Sequence, residues 1–275
     1  MLEVLGVSKS GYYAWLNRKP SNRSLQKAKV KEAIKKIYDD SKCIYGAPKI
    51  TVKLHELGFK TAESTVTKYM KEMGIRACWT KPYVKTTHSE DFSNRLKNIL
   101  KRNFSPEAPN AVWCTDITYI HTRKGVVYLS CIMDLFSRKI VSWEVAPTLE
   151  TKYVVSAIRK AISQTGKRPA VIHTDRGIQY TCVSYYDETE GILKSYSSKA
   201  NPWDNACIES FHGLIKREWL NRFDIKDIND AHRLVFEYID AFYNTWRIHS
   251  FCGYRSPMEY EKEYYLQHPI KYRVA

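Results

Sequence analysis

The sequence predicts an α/β domain, a mixed five-stranded sheet with flanking helices, preceded by a separate all-α region. Three observations carry this. Up to about residue 75 the apolar residues recur at helical spacing. From residue 112 onward, runs rich in β-branched and aromatic residues alternate with turn signals. Between the two lies a stretch with Pro82, the polar run 86-TTHSED-91, Pro106 and Pro109, which places the second domain's start near residue 107. With 275 residues, 44% of them hydrophobic, the chain can bury a core in each part.

In the first part, 4-VLGVSKSGYYAWLN-17 reads as a turn and a Ser-started helix, with Ser8 or Ser10 as cap. Its short lead-in looks like the end of a motif that starts upstream. A charged helix follows over Leu25–Asp39. Ile50, Val52, Leu54 and Leu57 then mark a helix stopped by Gly58. Thr61 or Ser64 opens the next, which carries Val66, Tyr69, Met70 and Met73 and stops at Gly74. Two short helices about a Gly-containing turn, with Lys68 and Lys71 on the second, fit either a DNA-binding helix-turn-helix or a plain helical hairpin. This region is taken as 1–76. A basic linker follows over 77–106, with an amphipathic helix near Phe92–Arg102.

The second domain, 107–265 with a helical C-terminal tail, opens on the strand 112-VWCTDITYI-120 and turns at 122-TRKG-125. A second strand runs near 126–133 and a third near 139–146, ending at Pro147. A helix over Glu150–Thr165 carries Val154, Val155, Ile158, Ala161 and Ile162 on one face and ends at Gly166. Then come a short buried strand in 169-PAVIHTDRG-177, a short helix near 178–190, a strand in 192-ILKSYSS-198 and a long helix from 202. The order βββαβαβα is that of a ribonuclease-H-like fold.

Acidic residues break the apolar pattern. Asp116 sits in mid-strand, where a short acid is a poor strand former. Alone, it could face water or pair with a lysine. Asp175 ends the fourth strand, where α/β sheets place ligands. On the last helix Asn205, Glu209, His212 and Lys216 share one face, opposite Ile208, Phe211, Leu214 and Ile215. Glu209 alone could be solvated and paired with a lysine. Asp204 suits a capping box after Asn201 and Pro202. Asp134, in 133-MDLFSRK-139, suits a turn. Taken together, Asp116, Asp175 and Glu209 can converge at one sheet edge. Three like charges are tolerable there if divalent cations neutralise them, and hard oxygen donors favour Mg2+ or Mn2+. Two such ions about 4 Å apart are the device of phosphodiester displacement.

The net charge of +15 is uneven. Residues 1–110 hold 22 Lys+Arg against 10 Asp+Glu, or +12; the rest holds 22 against 19, or +3. Such a basic N-terminal part points to a polyanion, most simply nucleic acid. The seven cysteines show no C-x-x-C spacing, so neither a disulfide framework nor a zinc finger is indicated. Apolar runs such as 126-VVYLSCIM-133 are too short to span a bilayer, and the N-terminus lacks signal-peptide features. The expectation is a cytoplasmic protein with no membrane partner.

The motifs 113-WCTDITYI-120, 172-IHTDRGIQYT-181 and 203-WDNACIESFHGLIKRE-218 resemble those of the insertion-sequence-three family of bacterial transposases. So do 6-GVSKSGYYAWL-16, 45-YGAPKI-50 and the tail 243-YNTWRIHSFCGYRSPMEY-260. In that family the B-frame product carries a core similar to retroviral integrases. The resemblance implies a catalytic Asp-Asp-Glu triad of Asp116, Asp175 and Glu209 that holds Mg2+ or Mn2+. It implies 3′-end cleavage and strand transfer of DNA by direct transesterification. Lys216 matches a basic residue that contacts DNA in relatives; Arg217, Lys199 and Asn205 are further candidates, with Lys68 and Lys71 in the first region. The implied partners are DNA, an upstream-frame helix-turn-helix protein or its fusion, and further copies of the chain assembled on DNA. One departure is the spacing: 33 residues separate Asp175 from Glu209, fewer than is usual, with the shortfall placed near 185-YYDETEG-191. Competing readings are a non-catalytic DNA-binding relic or regulator, and a ribonuclease-H-type nuclease.

Overall fold

The structure, a computed structural model, describes residues 4–19, 21–78, 96–198 and 201–269. The chain divides into two units, Met1–Cys78 and Trp79–Ala275. Among the described residues no helix is long and apolar enough to cross a membrane.

The first unit holds α1 (Lys9–Leu16), α2 (Asn22–Asp40), α3 (Ala47–Glu56) and α4 (Glu63–Glu72). Ser8 caps α1 by accepting from the Gly11 amide, and Ser21 caps α2 through Ser24. Val30, Ile34 and Ile37 of α2 pack with Ile50 and Leu54 of α3 and Val66 and Met70 of α4 as a buried core. Gly58 and Gly74, at φ of +84° and +68°, end α3 and α4 in the left-handed conformation that glycine adopts freely. Neither Thr61 nor Ser64 caps α4; the capping position is Ala62, without a side-chain bond.

In the second unit β1 (Val112–Thr122), β2 (Gly125–Asp134) and β3 (Ile140–Ala146) form the expected antiparallel meander. After α5 (Thr151–Thr165), β4 (Val171–Thr174) enters beside β1 in parallel. After α6 (Val183–Glu188), β5 (Leu193–Tyr196) joins beyond it, giving the order β3-β2-β1-β4-β5. Gly166, at φ +62°, closes α5. Trp113, Ile132, Ile172, Tyr180, Tyr185 and Tyr196 pack with Val154, Ile158 and Ala161 of α5 on one sheet face. Over the other face lie α7 (Ala206–Glu218), entered through a 3-10 turn at Pro202–Asn205, and α8 (Ile228–Tyr238).

The C-terminal tail fastens the sheet. A π-helical turn, Ile239–Tyr243, aligns Asn244, whose amide accepts from the Ile140 backbone N–H and donates to its carbonyl, both at 2.9 Å. Glu218, at the end of α7, takes a bidentate bond from buried Arg247 (2.7 and 2.6 Å) and a third from Tyr238. Last comes α9 (Pro257–Gln267), opened by a capping box of Ser256 and Glu259.

Two further expectations fail here. The amphipathic helix over Phe92–Arg102 has residues 92–95 outside the described set, and residues 96–102 are not helical. This stretch lies along β5 instead: the Lys97 carbonyl accepts from the Tyr196 amide, and Ser195 Oγ accepts from the amides of Ile99 and Leu100. Those tertiary bonds compete with helical ones for the same backbone groups. Asp204 does not form a capping box. It accepts from Asn98 Nδ2, Arg102 Nε and the Ser198 amide, at 2.7–2.9 Å, and so ties that stretch to the entry of α7. Asp134, by contrast, is the buried turn residue expected, accepting from Asn110 N and from the amide and hydroxyl of Ser137.

Candidate active site

The site begins with strand register. Trp113 pairs with Ile172, and Cys114 with His173, across the parallel β1–β4 ladder. Trp113 and Ile172 both belong to the core under α5, so Cys114 and His173 point to the opposite face. Two residues on come Asp116, still within β1, and Asp175, just past the end of β4, and the charge of Asp116 acts on both Asp175 and Glu209. β4 stops at Thr174, so Asp175 stands at the strand's C-terminal edge, where its Oδ1 accepts from the Gly177 amide at 2.9 Å. A Cβ at residue 177 would meet Asp175 Oδ1 and Gln179 Oε1, each at 3.1 Å, so a side chain there would crowd the acid.

α7 supplies the third acid. Ile208, Phe211 and Ile215 are buried, which turns the face with Glu209, His212 and Lys216 toward the β1 edge. His212 Nδ1 lies 3.4 Å from Asp116 Oδ2, and Lys216 Nζ lies 3.9 Å from the centre of the Tyr119 ring. The helix thus runs along β1, with Glu209 one turn before His212.

Electrostatics report the same convergence. Burial, then the charge of Asp116, raise the Asp175 carboxyl to about 6. Asp175 is exposed as a residue, while its Oδ1 is turned onto the Gly177 amide. Burial, then Asp116 and Asp175, push Glu209 up to about 7. Burial lowers Lys216, against the opposing pull of Asp116. A buried network holds the scaffold beneath: His173, pulled down to about 4 by burial, bonds Ser195 at 2.8 Å and Ser197 at 3.2 Å.

Asp175 and Glu209, whose ionisation the neighbouring acids oppose, lie where positive charge is lacking, the condition a hard divalent cation relieves. Among the described residues no three His, Cys, Asp or Glu side chains are already grouped as metal ligands, so the fit is one of donor chemistry and placement.

Of the other candidates, Arg217 is half-buried on α7 and Asn205 is buried, its Oδ1 without a hydrogen-bond partner. Lys68 and Lys71 are exposed on α4. Lys199 lies outside the described residues. Sequence reasoning placed His212 on the right face but missed its contact with Asp116, and it missed the close approach of Gly177 to Asp175. The shared face with Glu209 was the signal available for the first, and the short Asp-Arg-Gly run for the second.

Comparisons with known proteins agree in kind. Residues 106–202 and 190–257 match two models described as integrase core domain, and residues 25–83 match one described as HTH-like domain. The transposase for insertion sequence element IS904 of Lactococcus lactis subsp. lactis (strain IL1403) is 36% identical over 250 residues, covering 90% of this chain and 99% of the relative. The transposase InsF for insertion sequence IS3A of Escherichia coli (strain K12) is 32% identical over 271 residues, covering 96% and 93%. A structure of the HTLV-2 integrase catalytic core domain in complex with magnesium (trimeric form) aligns at a TM-score of 0.45 and 20% identity, over 56% of this chain and 98% of that one.

Proposed function

The chain belongs to the insertion-sequence-three family of transposases, and from that premise we propose that it cleaves DNA 3′ ends and transfers the strands at one site made by Asp116, Asp175 and Glu209. The observation that supports the reading is the β1–β4 register, in which Cys114 pairs with His173 two residues before each acid, together with the His212–Asp116 approach that brings α7 to β1.

In this reading the three carboxylates hold Mg2+ or Mn2+, two ions in the working complex. Bound there, such ions supply Lewis acidity at the phosphodiester and lower the pKa of the attacking hydroxyl. The chain's own side chains do the rest. Gly177 leaves room for Asp175 and fixes it through its amide. The apolar face of α7, packed in the core, sets exposed Glu209 on the helix side that also carries His212. Lys216, on the same helix face, brings a cation beside the acids where a DNA phosphate is to be neutralised. Arg217, Lys199 and Asn205 extend that contact. Lys68 and Lys71 of α4 reach phosphates from the first unit. Further copies bring two element ends together, and the upstream-frame helix-turn-helix protein, or its fusion, completes end recognition.

The test is cleavage and joining of labelled duplexes that carry the gene's own flanking ends, with Mg2+, for the chain alone and fused to the upstream frame. An RNA–DNA hybrid runs alongside. Joined DNA products support the reading. Binding of ends by the fusion with neither cleavage nor joining, even in Mn2+, rejects it in favour of a DNA-binding relic. Cleavage of the hybrid alone points to a nuclease.

A further inference from the structure

We propose that His212 is a positioning residue, whose Nδ1–H holds the Asp116 carboxylate in the orientation that faces Asp175 and Glu209. The inference rests on the reading of Asp116 as a cation-holding acid.

Three observations lead to it. His212 is only 6% exposed, although its helix face also carries Glu209 and Lys216. Burying an imidazole without compensation is unfavourable, and an aromatic or aliphatic side chain would fill the same space at less cost. Among the described residues its Nε2 has no hydrogen-bond partner, so the contact of Nδ1 with Asp116 Oδ2 at 3.4 Å is the polar contact the ring makes there. Both side chains are shielded from water, at 8% and 18% exposure, which strengthens that contact.

The tautomer follows. With the proton on Nδ1 the ring donates to the carboxylate, and buried Nε2 is left as a bare acceptor rather than a stranded N–H. At 3.4 Å the approach lies within ion-pair distance but has not closed to hydrogen-bond geometry, a common state for site contacts before substrate binds.

Asp116 needs such a partner. Its terminal torsion is soft, and nothing in the β1–β2 ladder fixes it, because Cys131 opposite offers only a buried thiol. The charges of Asp175 and Glu209 act on the same carboxylate and favour its turning away. A donor on Oδ2 limits that rotation, as outer-shell partners do for cation-binding side chains in general.

The test compares His212→Phe, His212→Asn and His212→Gln in the full chain, by Mn2+ titration calorimetry at pH 7.5 and by strand joining. Asn carries an N–H near the position of imidazole Nδ1, whereas Gln carries it near Nε2. The expected result is a loss of about 10-fold in Mn2+ affinity for Phe and Gln, with Asn close to the parent. A plain packing role gives the reverse order, since Phe keeps the volume and Asn loses it. Parent-like Mn2+ affinity in His212→Phe, or equal losses in Asn and Gln, overturns the inference. Should Phe fail to fold, the Asn–Gln comparison decides. Asp116→Asn separates the two claims. If it keeps Mn2+ affinity, the cation-holding reading fails and the inference with it. If it loses affinity while Phe does not, only the role of His212 fails.

Discussion

Cys114 of β1 and His173 of β4 are register partners in a parallel pair, and each stands two residues before an acid, Asp116 or Asp175. Parallel partners carry their side chains to one face, so the two acids emerge together where β4 ends. α7 crosses that face with Glu209 and His212. All the predictions below except that for Lys68 and Lys71 of α4 depend on these three elements or on what fastens them.

The first concerns pH. Asp175 at about 6 and Glu209 at about 7 lie above the ordinary carboxylate range. Between about pH 4 and 7 the native protein therefore keeps protons that the unfolded chain has lost, and this contribution to stability falls as pH rises. Glu209→Gln removes the Glu209 share. Discounted for solvent exposure it is worth about 1 kcal/mol, or about 3 °C in Tm. Calorimetry in EDTA should find the variant more stable than the parent at pH 8 and equal to it near pH 4. Divalent cation should stabilise the parent more than the variant.

His173 has the opposite sign. Its folded pKa of about 4 lies below the unfolded 6.5, so stability from this group is full above that range and is lost as pH falls from 6.5 toward 4. The loss approaches about 3 kcal/mol at the acid end. Ring NMR shifts should show His173 neutral at pH 5.5, bonded at both nitrogens by serines. A charged ring at that pH would contradict the buried network.

The Glu218–Arg247 pair fixes the far end of α7. Both side chains are under 8% exposed and bonded at two points. Arg247→Met leaves a buried carboxylate without its guanidinium partner, and should cost about 3–5 kcal/mol in urea unfolding. Joining Arg247→Met to Glu218→Leu should recover much of that loss. Additive losses in the double variant would show that the pair is not coupled.

DNA contacts are testable by salt. Lys68 and Lys71 are exposed on α4. If both touch phosphates, the double Ala variant should reduce the slope of log affinity against log salt by about 2. Lys216→Ala should reduce it by about 1 and also weaken joining. An unchanged slope in the double variant would place the phosphate contacts of the first unit elsewhere.

Much of this was legible in the sequence because it is local. The mid-strand Asp116, the meander, the Gly58, Gly74 and Gly166 stops and the Asp134 turn follow from spacing and turn chemistry within a few residues. What escaped depends on distant partners. Asp204 reads as a cap from its neighbours, yet Asn98 and Arg102, about a hundred positions away, claim its oxygens. Residues 96–102 have helical periodicity, but Ser195 and Tyr196 take up their backbone groups. His212 reads as solvated until β1 lies beneath it. No local pattern distinguishes a polar helix face turned to water from one turned to a second polar edge.

The central claim is that Asp116, Asp175 and Glu209 act as one site. The most direct measurement is strand joining by Asp116→Asn, Asp175→Asn and Glu209→Gln, each fused to the upstream frame and each checked for binding of the element ends. The account predicts that all three bind DNA as the parent does and that none forms joined product in Mg2+. Joining at the parent rate by any one of them would contradict it.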